Sequence, residues 1–274
     1  MHWLVVDETN KNPIKGQFFI LGGLVFTDEQ IPLVNSAVEQ IRLEAGYRDG
    51  DSFKFQISAR PDHVDSAKAT EAKKRLIAKL GELGVRMMTY VMLHDIGIRK
   101  TEQDRMAMGL NTLAWAYHRL LEFESAKGCM IIDRDDKQHK HLTHLFQNGI
   151  QIGDSRPRAV RDRIQFFGMT SNNASHLSSA VDVALGGFRF CVNAADLDDD
   201  AGGHLIANSI FAPLSELLWG VDQAGKKRIG GYGFLARPES VRVSKFAKRY
   251  SDLRARLIEY SSSVVDEASV SKEG

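Results

Sequence analysis

The sequence predicts an α/β fold, a mixed sheet covered by helices on both faces. Two observations carry this. A strand-like run at residues 2–7 is followed at hairpin distance by a second apolar run at 17–26. Beyond them, segments of helical periodicity alternate with short apolar runs, and the shortest, 129–132, is apolar throughout and ended by Asp133.

The elements follow in order. Residues 2–7 are rich in bulky and β-branched side chains, and 10–16 are turn-rich. Thr27 and Asp28 read as a helix start, with the helix running to about Ala45 and leaving through the glycines of 46–50. Residues 52–55 form a short apolar piece with a lysine in it. A charged helix spans 62–83, and 85–94 is a strand. The helix at 102–126 places Met106, Leu110, Leu113, Ala114, Tyr117, Leu120 and Leu121 on one stripe. Then come the strand 129–132, a helix at 136–148, a basic loop, a strand at 164–167 and a helix at 175–193. An acidic loop, an apolar helix at 205–219, a glycine-rich stretch and a last helix at 239–260 complete the chain. No internal repeat, low-complexity tract or linker divides it.

At 274 residues the chain is long enough for a sizeable core. Its net charge of +1 gives no global pull toward nucleic acid or an anionic membrane, so any basic surface must be local. Cys129 and Cys191 stand far apart in apolar surroundings and read as reduced core thiols. The N-terminus runs straight into a strand, and no apolar run approaches the ~20 residues needed to span a bilayer. A cytoplasmic location is the simplest expectation.

Ligands of α/β proteins gather at the carboxyl ends of strands, so acids found there are informative. Asp7 ends the first strand. Alternation puts Trp3, Val5 and Asp7 on one face and Leu4, Val6 and Glu8 on the other, so Asp7 and Glu8 cannot both enter one site while the strand persists. Asp133 closes its strand, and Asp135 and Asp136 are better placed to cap the helix that follows. Asp182 lies beside the stripe of Leu177, Ala180, Val181, Ala184, Phe188 and Cys191, where a carboxylate needs a partner, a proton or a cation. Three such carboxylates suit Mg²⁺, which takes a few carboxylates plus waters and phosphate oxygens. Spacing alone leaves an arginine partner for Asp182, and a solvated turn for Asp7 and Glu8, equally open.

Other groupings carry less. His139, His141 and His144 share a helix region without a third zinc ligand at a recognised spacing. Asp196, Asp198, Asp199 and Asp200 lack the glutamate that a calcium loop requires. Gly230, Gly231 and Gly233 lack the Lys-Ser/Thr of a phosphate loop and read as a turn. Arg156, Arg158, Arg161 and Arg163, together with Lys245, Lys248, Arg249, Arg254 and Arg256 on the last helix, are a solvated surface or a track for a phosphate backbone.

The order of the short motifs adds a resemblance. Asp7-Glu8-Thr9-Asn10 followed by residues 18–25, then Ser52-Phe53-Lys54-Phe55, Ile131-Ile132-Asp133, and Ser179-Ala180-Val181-Asp182-Val183-Ala184 ahead of Gly186-Gly187, resembles the bacterial "domain of unknown function 3800" family over about residues 3–193. The resemblance implies a ribonuclease H-like domain over 1–200; outside the match, 201–263 reads as a helical extension packed on the same domain and the polar 264–274 as a disordered tail. It implies metal-dependent nuclease activity on RNA or DNA with Mg²⁺ or Mn²⁺. Asp7, Asp133 and Asp182 would be catalytic metal ligands, with Glu8 a weaker fourth, and Lys54 would lie near the substrate phosphate. Arg156 and Arg158 are the further substrate-binding candidates. The sequence departs from the family pattern at Ser52, where a glutamate is expected and Asp51 is adjacent, at Ser179 and at Thr9-Asn10. These departures leave open a catalytically silent binding or adaptor subunit. The apolar helix around Phe211 and Trp219 would then offer a surface for a protein partner or a second copy.

Overall fold

A computed structural model describes residues 1–151, 156–171, 175–195, 201–261 and 263–265. Its centre is a six-stranded mixed sheet in the order β5 (Ile164–Thr170), β4 (Gly128–Asp133), β1 (His2–Thr9), β2 (Phe18–Thr27), β3 (Arg86–Leu93) and β8 (Phe234–Ala236). β1, β2 and β3 form an antiparallel meander. β4 joins β1 in parallel and β5 joins β4 in parallel. A three-strand meander extended on its first strand by two parallel strands is the ribonuclease H-like arrangement that the motif order implies.

The alternation of each strand sorts two cores. Val5, Ile20, Leu24 and Val91 face one side. There they meet α1 (Gln30–Ala45), α2 (Ser66–Glu82), α5 (His176–Ala195), α6 (Ala201–Leu217) and α7 (Ser244–Tyr260). Leu4, Val6, Leu21, Tyr90 and Met130 face the other side, against α3 (Glu102–Phe123) and α4 (His139–Asn148). β2 is buried along nearly its whole length because helices cover both of its faces. Such a strand reads as one apolar run. α3 starts at a capping box, with the Thr101 hydroxyl accepting from Asp104 N–H and the Asp104 carboxylate accepting from Thr101 N–H.

The C-terminal part departs from the sequence reading in four places. It is helical as expected, with α6 packed on α5 and α2. It also contributes β8 (Phe234–Ala236), a sixth strand parallel to β3, directly after the glycines read as a plain turn. The segment is too short to show a period, and it is a strand because β3 supplies its partner. A small second sheet, β6 (Val221–Gln223), β7 (Lys226–Arg228) and β9 (Val264–Val265), reaches into the expected tail, where Val264 is buried. The association surface expected around Phe211 and Trp219 is used within the chain: both are buried, as are Leu214, Leu217 and Leu218. Finally, α7 begins at Ser244 rather than near Glu239, because 234–236 is strand and Pro238 follows it.

Cys129 and Cys191 are free and buried. Among the described residues no helix is long and apolar enough to cross a membrane.

Candidate functional site

The sheet register brings two of the three aspartates together. β4 runs parallel to β1 with Val5 opposite Ile131 and Val6 opposite Ile132. The paired ladder ends there, and Asp7 and Asp133 are the residues that follow on the two strands, which lie ~4.8 Å apart where paired. Since Val6 and Ile132 face α3, both aspartates face the opposite side, toward α5. Asp133 in turn pairs with Thr170 of β5, so the polar row lies at the carboxyl ends of three parallel strands.

A glycine lets the third aspartate approach. Gly22 is the antiparallel partner of Asp7 and shares its face. A side chain at Gly22 would lie 2.8 Å from Leu185 Cδ1 and 2.9 Å from the Met88 carbonyl oxygen, so α5 rests directly on bare backbone there. Asp182 precedes Leu185 by three residues, about one helical turn. Farther along, Arg189 donates to Thr9 Oγ1 at 3.1 Å and Asn10 Nδ2 donates to Asn193 Oδ1 at 3.2 Å, which fixes α5 along the end of β1.

The electrostatics agree with this placement. The Asp7 carboxyl is pushed up to about 7, chiefly by burial, and further by the negative charges of Glu8, Asp182 and Asp133. The hydrogen bond from Glu8 N–H to Asp7 Oδ1, 2.8 Å long, acts in the opposite direction. Asp182 Oδ2 accepts from the backbone N–H of Phe55 at 2.7 Å. This hydrogen bond answers in part the question raised by its position: its partner is a loop, not an arginine. A side chain at Gly186 would lie 2.3 Å from Phe55 Cβ, so the loop of Ser52, Phe53, Lys54 and Phe55 is seated on α5 through a second bare turn. Phe53 is buried edge-on against Tyr47, with ring centroids 5.1 Å apart. Lys54 is thus held between two anchored phenylalanines, and no described side chain pairs with its ammonium.

The sequence reading missed Lys73. It lies on α2 at 5% exposure and donates to the Phe55 carbonyl oxygen at 2.8 Å. Burial pushes its ammonium below the ordinary lysine range, and the charge of Asp182 opposes that shift. One residue of the loop is therefore gripped on both sides: the Phe55 N–H by Asp182 and the Phe55 C=O by Lys73. A signal was present. The buried stripe of α2 is Ala69, Ala72, Leu76, Ile77 and Leu80, and Lys73 occupies a position inside it.

Other expected residues are placed elsewhere. Glu8 turns to the α3 side, where it pairs with Lys11 at 2.9 Å, and Lys11 also meets Glu102 of α3 at 3.3 Å. It is not a fourth ligand in this arrangement, as strand alternation requires. Arg158 pairs with Glu122 and lies over the Trp115 ring at 4.9 Å, both on α3. That is across the sheet from Asp7 and Asp182, which removes Arg158 from their surroundings. Arg156 is exposed. Asp51 accepts from Arg48 N–H at 2.7 Å and pairs with His63 at 3.0 Å, so it does not replace the acid absent at Ser52. His139 faces Asp136 at 3.9 Å and His144 Nδ1 meets Asn148 at 3.0 Å. The acidic run Asp196, Asp198, Asp199 and Asp200 lies outside the described residues.

Among the described residues no three His, Cys, Asp or Glu side chains close around a single point as a metal cage. The donor chemistry nevertheless suits a hard cation. Mg²⁺ is commonly held by one or two carboxylates with waters completing its shell, and Asp7 and Asp133 are the residues that could offer them. Burial is the main cause of the raised Asp7 carboxyl, and the smaller part owed to neighbouring negative charge is one that a cation relieves. A scan against protein-family models matches none, and a search of the curated proteins finds no match.

Proposed function

We propose that the chain is a divalent-metal-dependent phosphodiesterase acting on nucleic acid, with Asp7 and Asp133 holding Mg²⁺ or Mn²⁺ and Asp182 beside them. The observation that supports this most is the Asp7 carboxyl, set at a strand end and raised chiefly by burial and further by the charges of Glu8, Asp182 and Asp133. When bound, the cation would neutralise charge on the phosphate and make a water nucleophilic near neutral pH. The chain's own residues position the rest. Asp182 and Lys73 hold the loop that carries Lys54, and the Lys54 ammonium balances charge developing on the phosphate. The two free, buried cysteines fit a reducing, cytoplasmic location.

The test is cleavage of labelled RNA and DNA with Mg²⁺ and with Mn²⁺. Asp7→Asn and Asp182→Asn should each lower the rate by roughly 10²–10³-fold, the loss of several kcal/mol of transition-state stabilisation. Cleavage unchanged in both variants removes the assignment. A second reading, a silent adaptor that keeps the fold, is favoured by Ser52 and by the commitment of Asp51 to Arg48 and His63. It predicts no cleavage by the wild type under either metal.

A further inference from the structure

A cleft of about 850 Å³ opens on the other side of the sheet from the carboxylates, between α3 and the chain around residues 228–239. Its lining includes the buried Tyr90 and Met92, the exposed Met108, and the rings of Trp115 and Tyr232. Four cationic side chains line it, Lys100, Arg119, Arg228 and Arg237, against one carboxylate, Glu239. The three arginines are held in place. Arg119 donates to the Gly231 carbonyl oxygen at 3.0 Å and lies over the Tyr232 ring at 4.9 Å, and no described carboxylate pairs with it. Arg228 lies over the same ring at 5.6 Å. Tyr232 is itself fixed edge-on against the buried Trp219, with centroids 5.2 Å apart. Arg237 pairs with Glu239 at 2.7 Å and donates to the Ala236 carbonyl oxygen at 3.3 Å.

Two guanidinium groups held over an aromatic ring, with a third beside them and apolar side chains alongside, are suited to a doubly charged oxyanion carried on an organic body. Guanidinium matches phosphate geometry with paired hydrogen bonds, and its position on an aromatic face reduces the entropy lost on binding. The volume falls within the range of small-ligand sites, ~300–1,000 Å³. We propose that this cleft is a binding site for a small phosphate ester of nucleotide size, distinct from the carboxylate site. The phosphate lies among Arg119, Arg228 and Arg237, and the organic part rests on Tyr90, Met92 and Met108. Glu239, whose side chain is 73% exposed, competes with the ligand for Arg237. Burial holds the Arg237 guanidinium below its usual range, and the neighbouring charge of Arg119 pushes the same way, so an incoming anion is favoured.

The experiment is calorimetric titration of the whole chain with adenosine 5′-monophosphate, adenosine and inorganic phosphate. The monophosphate should bind about tenfold or more tightly than adenosine, the loss expected when a charged hydrogen-bonding group is deleted. Arg119→Gln, which keeps a donor for Gly231, should weaken it about tenfold. Glu239→Gln, at an exposed rim position, should tighten it severalfold by releasing Arg237, a gain that damage to the fold does not produce. Lys100→Glu, also exposed, should weaken it. Asp182→Asn should leave it unchanged, whatever that substitution does to cleavage. No saturable binding of the monophosphate at millimolar concentration, equal binding of adenosine, or indifference to both Arg119→Gln and Glu239→Gln overturns the proposal.

Discussion

Asp7→Asn is expected to raise the thermal midpoint at pH 8 and to leave it nearly unchanged at pH 4. The Asp7 carboxyl is raised in the fold from 3.8 to about 7. A raised carboxyl means that the folded chain holds the proton more tightly than the unfolded chain. Its contribution to stability is therefore greatest below pH 4 and is lost as pH rises from about 4 to about 7. A rise of that size corresponds to at most about 4 kcal/mol at pH 8, and side chains that relax when the carboxyl ionises reduce this. Asparagine carries no charge and keeps an acceptor for Glu8 N–H, so the variant escapes the penalty. For a chain of this size the gain at pH 8 is on the order of 5 °C. Adding Mg²⁺ at pH 8 should stabilise the wild type and not the variant. A wild type whose midpoint is flat between pH 4 and pH 8, or a variant that follows the same slope, would show that Asp7 is not under this electrostatic pressure.

Lys73→Met should loosen the loop that carries Lys54, while Lys74→Met should do nothing measurable. Lys73 is buried and Lys74 is exposed on the next helical position. Methionine approximates the volume but cannot donate to the Phe55 carbonyl oxygen, which leaves a buried acceptor unsatisfied at a cost of about 1–3 kcal/mol. The substitution also removes a cation whose charge reaches Asp182, and Asp182 in turn holds Phe55 N–H. The readout is amide hydrogen exchange at Phe55. It should accelerate about tenfold or more in Lys73→Met and stay at the wild-type rate in Lys74→Met. Equal exchange in the two variants would mean that the loop is held by Phe53 and Phe55 packing alone. Cleavage activity, where present, should fall with the exchange protection, because Lys54 loses its fixed position.

The difference between these two sites in legibility has a physical origin. Asp7 and Asp133 were readable because a β-strand announces itself as an apolar run and the first acid after it marks the carboxyl end. Asp182 was readable because a charge beside a stripe of Val181, Ala184 and Phe188 violates the pattern around it. Their neighbours in space were not readable. Phe55 N–H and Asp182 are 127 positions apart, and nothing local records that Gly22 and Gly186 allow α5 and the loop to approach so closely. Lys73 lay in a helix so rich in charge that its place within the stripe was masked by Lys68, Lys74 and Lys79. Arg158 reads as one of a run of arginines, yet Glu122 and Trp115 on α3 claim it. The strand β8 has only three residues, which is below any period, and exists through its pairing with β3. The cleft lined by Arg119, Arg228 and Arg237 draws on separate elements and leaves no motif.

The most direct test of the proposed metal site is calorimetric titration of Mn²⁺ into the wild type, Asp7→Asn and Asp133→Asn. Neighbouring carboxylates on β1 and β4 predict saturable binding by the wild type that is weakened at least about tenfold in each variant. Binding of equal strength in all three proteins, or none at millimolar Mn²⁺ in the wild type, would contradict it.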